Sequence, residues 1–197
     1  MSITVQPMSD ACGAEIKGVD LRQPVDAQTV GEIEQAFHEN VVVVFRDQEI
    51  TEDEQMYFAK SLGGLGERQR SPNGSTPGGS YDTPFMLVTN IKDEKGAPIG
   101  AFGDGEMWFH HDMSYKPEPH KATLLHALEL PSKGGNTKFA NMYLGYKNVP
   151  ADIKKKIRGR RVLQAYNFTM LEKVDLNEDL ENIQHQWQPI FVKHPET

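Results

Sequence analysis

Several common features are scarce in this sequence of 197 residues. Cys12 is the only cysteine, so no disulfide can form within the chain, and we expect a reducing, cytoplasmic location. No apolar run approaches the length that spans a membrane, and no opening segment resembles a signal peptide. An excess of positive charge is also lacking: 21 Lys and Arg against 28 Asp and Glu give a formal net charge of -7, which argues against a nucleic-acid partner.

The remaining composition is that of an ordinary globular protein, with 38% hydrophobic and 25% charged residues. A chain of this length can bury a substantial core, so we predict a single domain over residues 1–197. The spacing of apolar residues predicts a helix over about 27–39, with Asp26 as its N-cap. Thr51 and Glu54 form a capping-box pattern that opens a second helix.

Most of the other segments are short and resemble strands. Val41 to Phe45 is β-branched and apolar on both faces, which predicts a strand buried from both sides. Further strands are predicted over residues 85–90, 110–112, 122–128, 138–142, 161–168 and 189–193, and a third helix over 151–158. This pattern predicts a mainly β fold with flanking helices (α+β), built as a double-stranded β-helix, or jelly-roll, barrel.

The segment from Trp108 to Tyr115 carries the clearest chemistry. In a strand, residues two apart point to the same face, so His110 and Asp112 are expected to converge on one point. A histidine and a carboxylate so placed are two thirds of the facial triad that binds non-haem Fe(II), and another histidine has to complete it. The alternative is an ordinary surface pair, because His-x-Asp alone is a weak signal. Trp108 is predicted to belong to the core.

Two glycine-rich loops, over residues 63–80 and 96–106, flank this segment in the sequence. Long loops next to a candidate site are typical of a lid, so we predict that these two cover the site. The alternative is that they are plain surface connections. Arg68 and Arg70 lie in the first loop and are candidates for selecting an anionic substrate, although exposed arginines are commonly just solvated.

Downstream of this segment the chain carries Gly134-Gly135-Asn136-Thr137, then Phe139 and Asn141-Met142-Tyr143. Together with the His-x-Asp strand, this order of motifs resembles the taurine dioxygenase family of Fe(II)- and 2-oxoglutarate-dependent oxygenases. The early apolar strand, the helix after Thr51 and the closing Lys193 to Thr197 also match. The resemblance therefore extends over nearly the whole chain.

The resemblance implies roles for individual residues. His110 and Asp112 would be two of three iron ligands, and Thr137 would bind a carboxylate of 2-oxoglutarate, although it could also be an ordinary strand threonine. Substrate-binding candidates with structural alternatives are Asn90, Phe102, Tyr115 and Arg70. In the family the third iron ligand, a histidine, lies further along, so we expect it beyond Thr197, which would leave the barrel incomplete at its C-terminus.

The family's reaction is hydroxylation of a small organic substrate with O2, with release of succinate and CO2. The long loops and Arg68 or Arg70 lead us to expect that this small substrate is anionic, and the Asp112 ligand argues against halogenation. One alternative is a metal- or ligand-binding barrel without turnover. Another is a non-catalytic assembly domain, and exposed strand edges would make a homo-oligomer plausible.

Overall fold

The computed structural model describes residues 2–66, 85–97, 99–102, 108–166 and 180–197. These residues fall into two compact units, each of which is considered by itself. The first unit comprises Met1–Leu65, Lys121–Gln164 and Gln186–Thr197, and the second comprises Gly66–His120 and Ala165–His185. The single domain over 1–197 stays a prediction.

The first unit begins with a three-stranded sheet. Strand β1 (Thr4–Pro7) pairs antiparallel with β2 (Ala14–Lys17), and β2 pairs in parallel with β3 (Val43–Val44). The strand predicted from Val41 to Phe45 is therefore shorter and only half-buried. Val41 cannot extend it, because this residue adopts a φ of 69° and its N–H bonds Phe37 O as the C-cap of the preceding helix.

Two capped helices pack against this sheet. Helix α1 (Ala27–Asn40) begins where the Asp26 side chain accepts the N–H of Thr29, as predicted. Helix α2 (Glu52–Ser61) begins with the predicted capping box, in which Thr51 N donates to Glu54 Oε2 at 2.7 Å. Both boundaries follow from local hydrogen bonds that the sequence itself specifies.

The core of the first unit lies between α1, α2 and the sheet. Its buried members are Ile16, Leu21, Ile33, Ala36 and Phe58. The rings of Phe45 and Phe58 pack edge-to-face, with their centroids 5.5 Å apart. Leu124, from the later part of the chain, packs against the same cluster. These apolar contacts hold the N-terminal part of the chain together.

Two predicted strands of the first unit are wrong. Residues 122–128 have no regular secondary structure, because no described strand lies alongside to complete their backbone hydrogen bonds. The strand predicted over 138–142 is absent, because residues 138–141 have no regular secondary structure and helix α3 (Met142–Asn148) begins at the last predicted position. Asn141 causes the change, since its side chain accepts the N–H groups of Tyr143 and Leu144 as an N-cap.

The end of the described chain forms a helix and a strand pair. Helix α4 (Ala151–Ile157) confirms the helix predicted after Pro150. Strand β6 (Arg161–Ala165) pairs with β7 (His185–Pro189), and a 3₁₀ turn, Leu180–Asn182, precedes β7. The second strand therefore lies earlier than the predicted 189–193. The pair is antiparallel, because Tyr166 N bonds Gln184 O at one end and Ile190 N bonds Arg160 O at the other.

The second unit contains one short parallel pair, β4 (Val88–Thr89) and β5 (Ala101–Phe102). Gly100 allows the close approach: a Cβ there would lie 2.6 Å from Thr89 Cγ2 and 2.7 Å from Leu87 O. The strand predicted over 85–90 is thus reduced to two residues. The predicted lid loops fall largely outside the described residues, and the lid stays a prediction.

The described ranges therefore combine helices and strands without forming a closed barrel. The expected mainly β character is wrong for these residues, where α1 has 14 residues and no strand exceeds five. A barrel needs each strand edge to meet another strand, and the sheets described here have only two or three strands. Among the helices of the described residues, none is long and apolar enough to cross a membrane.

Candidate metal centre

His110 and Asp112 converge in the second unit. His110 Nε2 lies 3.1 Å from Asp112 Oδ1, and the two side chains are 51% and 45% exposed. The side chains therefore point to one place, as the sequence indicates, and that place is open to a ligand from solvent. Metal binding there stays a prediction.

The backbone that brings them together is not the predicted strand. Residues 108–111 have no regular secondary structure, and 112–115 form a turn. Met113 adopts a φ of 57°, in the left-handed region that side-chain-bearing residues rarely occupy. Lys116 N then bonds Met113 O at 2.9 Å. The strand prediction is wrong because this left-handed residue reverses the chain directly after Asp112.

A backbone hydrogen bond fixes the orientation of the imidazole. His110 Nδ1 lies 2.8 Å from the carbonyl oxygen of Trp108. A carbonyl only accepts, so Nδ1 carries a proton, and in the corresponding neutral tautomer Nε2 presents a lone pair. Two acceptors, Nε2 and Asp112 Oδ1, then face each other at 3.1 Å, an arrangement that a proton or a metal cation between them stabilises. The donor set fits a divalent transition metal such as Fe(II).

The Tyr115 side chain contacts this turn. It is buried, with 9% of its surface exposed, and its hydroxyl donates to Met113 Sδ at 2.9 Å. Its ring stacks on Tyr166, with centroids 4.6 Å apart and planes tilted by 30°. Burial, and to a smaller extent the charges of Tyr166 and Asp112, together raise the pKa of Tyr115 to about 12. The hydroxyl is therefore a neutral donor at physiological pH.

The aromatic residues before the pair are exposed. Trp108 is 85% exposed and Phe109 is 69% exposed, so the prediction that Trp108 belongs to the core is wrong. Indole side chains are commonly buried, but the Trp108 side chain is exposed here. Residue 108 contributes to the site through its backbone carbonyl, which lies 2.8 Å from His110 Nδ1. Sequence reasoning also missed Met113, because neither a left-handed backbone nor an O–H···S bond has a compositional signal.

The other predicted site residues are only partly described. Asn90 is exposed and directly follows β4, the backbone of Phe102 lies in β5, and Arg68 and Arg70 lie outside the described residues. Thr137 is exposed and belongs to the first unit, whereas the His110 pair belongs to the second. Their binding roles stay predictions.

The turn before Thr137 depends on its glycines. Gly134 and Gly135 adopt φ values of 82° and 67°, which favour residues without a side chain. A Cβ on Gly135 would also lie 2.9 Å from Pro131 Cγ. The Gly-Gly pair therefore shapes the backbone that presents the Thr137 hydroxyl.

A third ligand does not join the pair within the described part of the chain. In those residues no group of three or more His, Cys, Asp or Glu side chains could hold a metal ion. His185 and His194 are engaged elsewhere: His185 Nδ1 lies 2.8 Å from Ile183 O, and His194 packs against the ring of His38. The third ligand expected beyond Thr197 stays a prediction.

Comparison with known proteins adds a family assignment. The family model described as "Taurine catabolism dioxygenase TauD, TfdA family" matches residues 4–197. Pentalenolactone F synthase of Streptomyces avermitilis is 35% identical over 164 residues, which cover 82% of this chain and 52% of that protein. The alpha-ketoglutarate-dependent 2,4-dichlorophenoxyacetate dioxygenase of Cupriavidus pinatubonensis is 29% identical over 168 residues, covering 82% and 58%. The chain spans about half the length of the curated relatives it matches.

A solved structure shows the same fold. The crystal structure of a taurine dioxygenase from Burkholderia xenovorans superposes with a TM-score of 0.72 at 24% identity. The superposition covers 100% of this chain and 61% of that one. The helices and short strands described above therefore belong to a known fold.

Proposed function

This chain belongs to the taurine catabolism dioxygenase TauD, TfdA family, and we propose that it carries out Fe(II)- and 2-oxoglutarate-dependent dioxygenation. In the proposed reaction a C–H bond of a small, anionic organic substrate becomes C–OH, while 2-oxoglutarate and O2 yield succinate and CO2. The observation that carries the proposal is the 3.1 Å convergence of His110 Nε2 and Asp112 Oδ1. The fold shared with a taurine dioxygenase supports a jelly-roll barrel for the whole protein.

The residues of the pair have distinct roles in this proposal. His110 supplies a neutral nitrogen ligand because the Trp108 carbonyl keeps the proton on Nδ1, and Asp112 supplies a carboxylate oxygen. Iron with bound 2-oxoglutarate would supply the activation of O2. The protein's own part is to hold these ligands, orient the substrate carbon and exclude water.

Thr137 is proposed to bind a carboxylate of 2-oxoglutarate. Its exposed hydroxyl follows two glycines in left-handed conformations, a backbone shape suited to close approach by a ligand. Thr137→Val should raise the KM for 2-oxoglutarate severalfold, and Thr137→Ser, which keeps the hydroxyl, should not. Equal KM values in wild type and Thr137→Val would contradict this role.

The substrate is proposed to be anionic. The Cupriavidus relative is named for 2,4-dichlorophenoxyacetate, a carboxylate, and Arg68 and Arg70 lie in the predicted lid loop. Asn90, Phe102 and Tyr115 are proposed to line the substrate pocket. Arg68→Ala and Arg70→Ala should raise the KM for an anionic substrate and leave that for its uncharged amide unchanged. Unchanged KM values for both would remove the arginines from this role.

The central experiment is anaerobic addition of Fe(II) and then 2-oxoglutarate, followed by visible absorption. Chelated 2-oxoglutarate should give a weak charge-transfer band in this chain or, where the gene continues past Thr197, in the continued form. His110→Ala and Asp112→Ala should abolish the band, and the neighbouring His111→Ala should retain it. Absence of a band in both wild-type forms would overturn the proposal.

A metal- or ligand-binding protein without turnover is the second candidate. The observation that favours it is the absence of a third ligand among the described residues. Addition of O2 separates the two: the enzyme should form succinate in proportion to the 2-oxoglutarate consumed, and a binding protein should form none.

We also propose that the protein is located in the cytoplasm, that its partner is a small molecule, and that it binds no nucleic acid.

A further inference from the structure

Met113, the residue after Asp112, adopts a left-handed backbone conformation. Met113 has a φ of 57° although its flexible side chain gains nothing intrinsically from that conformation. The turn around it has two backbone hydrogen bonds, Ser114 N to His111 O at 3.4 Å and Lys116 N to Met113 O at 2.9 Å. The first of these is long, and the second has an ordinary length.

A side-chain bond closes the same turn. The Tyr115 hydroxyl donates to Met113 Sδ at 2.9 Å, which ties Met113, the residue after Asp112, to the residue two positions further along. Thioether sulfur is a weak acceptor, but Tyr115 is buried, so water competes little for its hydroxyl. The bond therefore restricts the rotation of the Met113 side chain.

The Tyr115 ring is itself anchored. It stacks on Tyr166 at a centroid distance of 4.6 Å, and Tyr166 N donates to Gln184 O at 2.8 Å beside the β6–β7 pair. A chain of contacts therefore runs from hydrogen-bonded backbone through two aromatic rings to Met113. Asp112 directly precedes Met113 in the sequence, and its carboxylate is near enough to contribute to raising the pKa of Tyr115.

We propose that Tyr115 and Met113 are positioning residues, whose O–H···S bond holds the Asp112 carboxylate in place beside His110 Nε2. This inference rests on the proposed function, because it concerns how the two metal ligands keep their geometry. The positioning role concerns the Tyr115 hydroxyl, which is directed at Met113, and is separate from the substrate-lining role proposed above for this residue.

The test measures Mn(II) affinity of the chain by the loss of the free-ion EPR signal. Tyr115→Phe and Met113→Leu each remove the bond with little change in volume, and each should weaken Mn(II) binding about tenfold, as loss of an outer-shell partner does. The double variant should be no weaker than either single one, because both remove the same bond. Met113→Gln restores an acceptor and should return the affinity to within about twofold of wild type.

The control variant is Tyr57→Phe, which removes a hydroxyl from an exposed tyrosine of helix α2 and should leave the Mn(II) affinity unchanged. Additive losses in the double variant, no loss in either single one, or no rescue by Met113→Gln would overturn the positioning role. So would a loss explained by unfolding, which circular dichroism detects.

A metal-free readout separates this inference from the proposed function. In the ¹H–¹⁵N spectrum of the chain without metal, Tyr115→Phe should move the amide signals of Asp112 and Met113 and leave that of Ile33 in place. If wild type binds no Mn(II), the proposed function fails whatever this spectrum shows, and the positioning role fails with it. If wild type binds but the Asp112 signal does not move, only the positioning role fails.

Discussion

The N-terminal part of the first unit and the metal-ligand turn of the second are built by different means. Residues 14–58 contribute a cluster of buried apolar side chains and two helices with complete N-caps. Of the hydrophobic residues buried within the described ranges, Tyr115 is the only one in the second unit. One region depends on apolar burial, and the other on a few directed contacts around a single buried ring.

This difference predicts different consequences of mutation. A side chain removed from a packed cluster lowers the free energy of unfolding, because it leaves a cavity and loses apolar burial. A side chain removed from the ligand turn mainly changes where Asp112 lies, because few apolar contacts are lost there. Stability should therefore report on the first region, and metal affinity on the second.

The largest effect is expected at Ile33, which is 1% exposed. Ile33→Ala should lower the free energy of unfolding by about 3 kcal/mol, the usual cost of emptying a buried isoleucine site. The control is Ile153→Ala on helix α4, where the side chain is 38% exposed and the same atoms are removed. Urea unfolding measures both. Equal losses would show that the buried cluster does not dominate the first region.

The next effect is a pH dependence that originates at Tyr115. Its pKa of about 12 in the folded chain exceeds the ordinary 10.0, so the unfolded chain loses the proton first. The stabilisation is complete below pH 10 and falls as pH rises towards 12, by about 1.4 kcal/mol for each unit that separates the two pKa values. Urea unfolding between about pH 9 and 11 should show this decline in wild type and a smaller one in Tyr115→Phe. Identical declines in wild type and Tyr115→Phe would show that the Tyr115 hydroxyl is exposed to solvent.

A smaller effect is expected at the capping box of α2. Thr51→Ala removes the hydroxyl that accepts the N–H of Glu54 at 3.3 Å and should lower the free energy of unfolding by about 1 kcal/mol. Thr51→Ser keeps the acceptor and should lose only a few tenths of a kcal/mol. Thermal unfolding compares the two. If alanine and serine are equivalent, the cap does not contribute to the first region's stability.

These contrasts also explain which parts of the fold the sequence could predict. The starts of α1 and α2 were predictable because Asp26 and Thr51 make hydrogen bonds to residues three positions away. Residues 122–128 were not, because a strand exists only where a second strand pairs with it, and apolar content does not reveal that partner. Asn141 shows the same limit, since its capping role overrode a strand-like pattern.

The candidate site was predictable in its residues and not in its backbone. His110 and Asp112 converge because residues two apart can share a face, both in a strand and in the observed turn. The left-handed Met113 and its bond to Tyr115 depend on tertiary burial, which no spacing rule reports. Thr137 is a different case. The glycine turn before it is present in the structure, but the partner predicted for its hydroxyl is a ligand and not another residue of the chain.

The smallest effect is expected at Trp108, where the sequence suggested a core residue and the structure exposes 85% of the side chain. Trp108→Ala should change the free energy of unfolding by less than about 0.5 kcal/mol, as exposed positions do. It should also leave Mn(II) affinity unchanged, because residue 108 holds His110 through its backbone carbonyl, which alanine retains. Phe58→Ala, at a buried ring of the first unit, is the contrasting variant and should destabilise the chain by nearly as much as Ile33→Ala, about 3 kcal/mol. A comparable loss at Trp108 would mean that the ligand turn also depends on apolar burial, and the distinction between the two regions would fail.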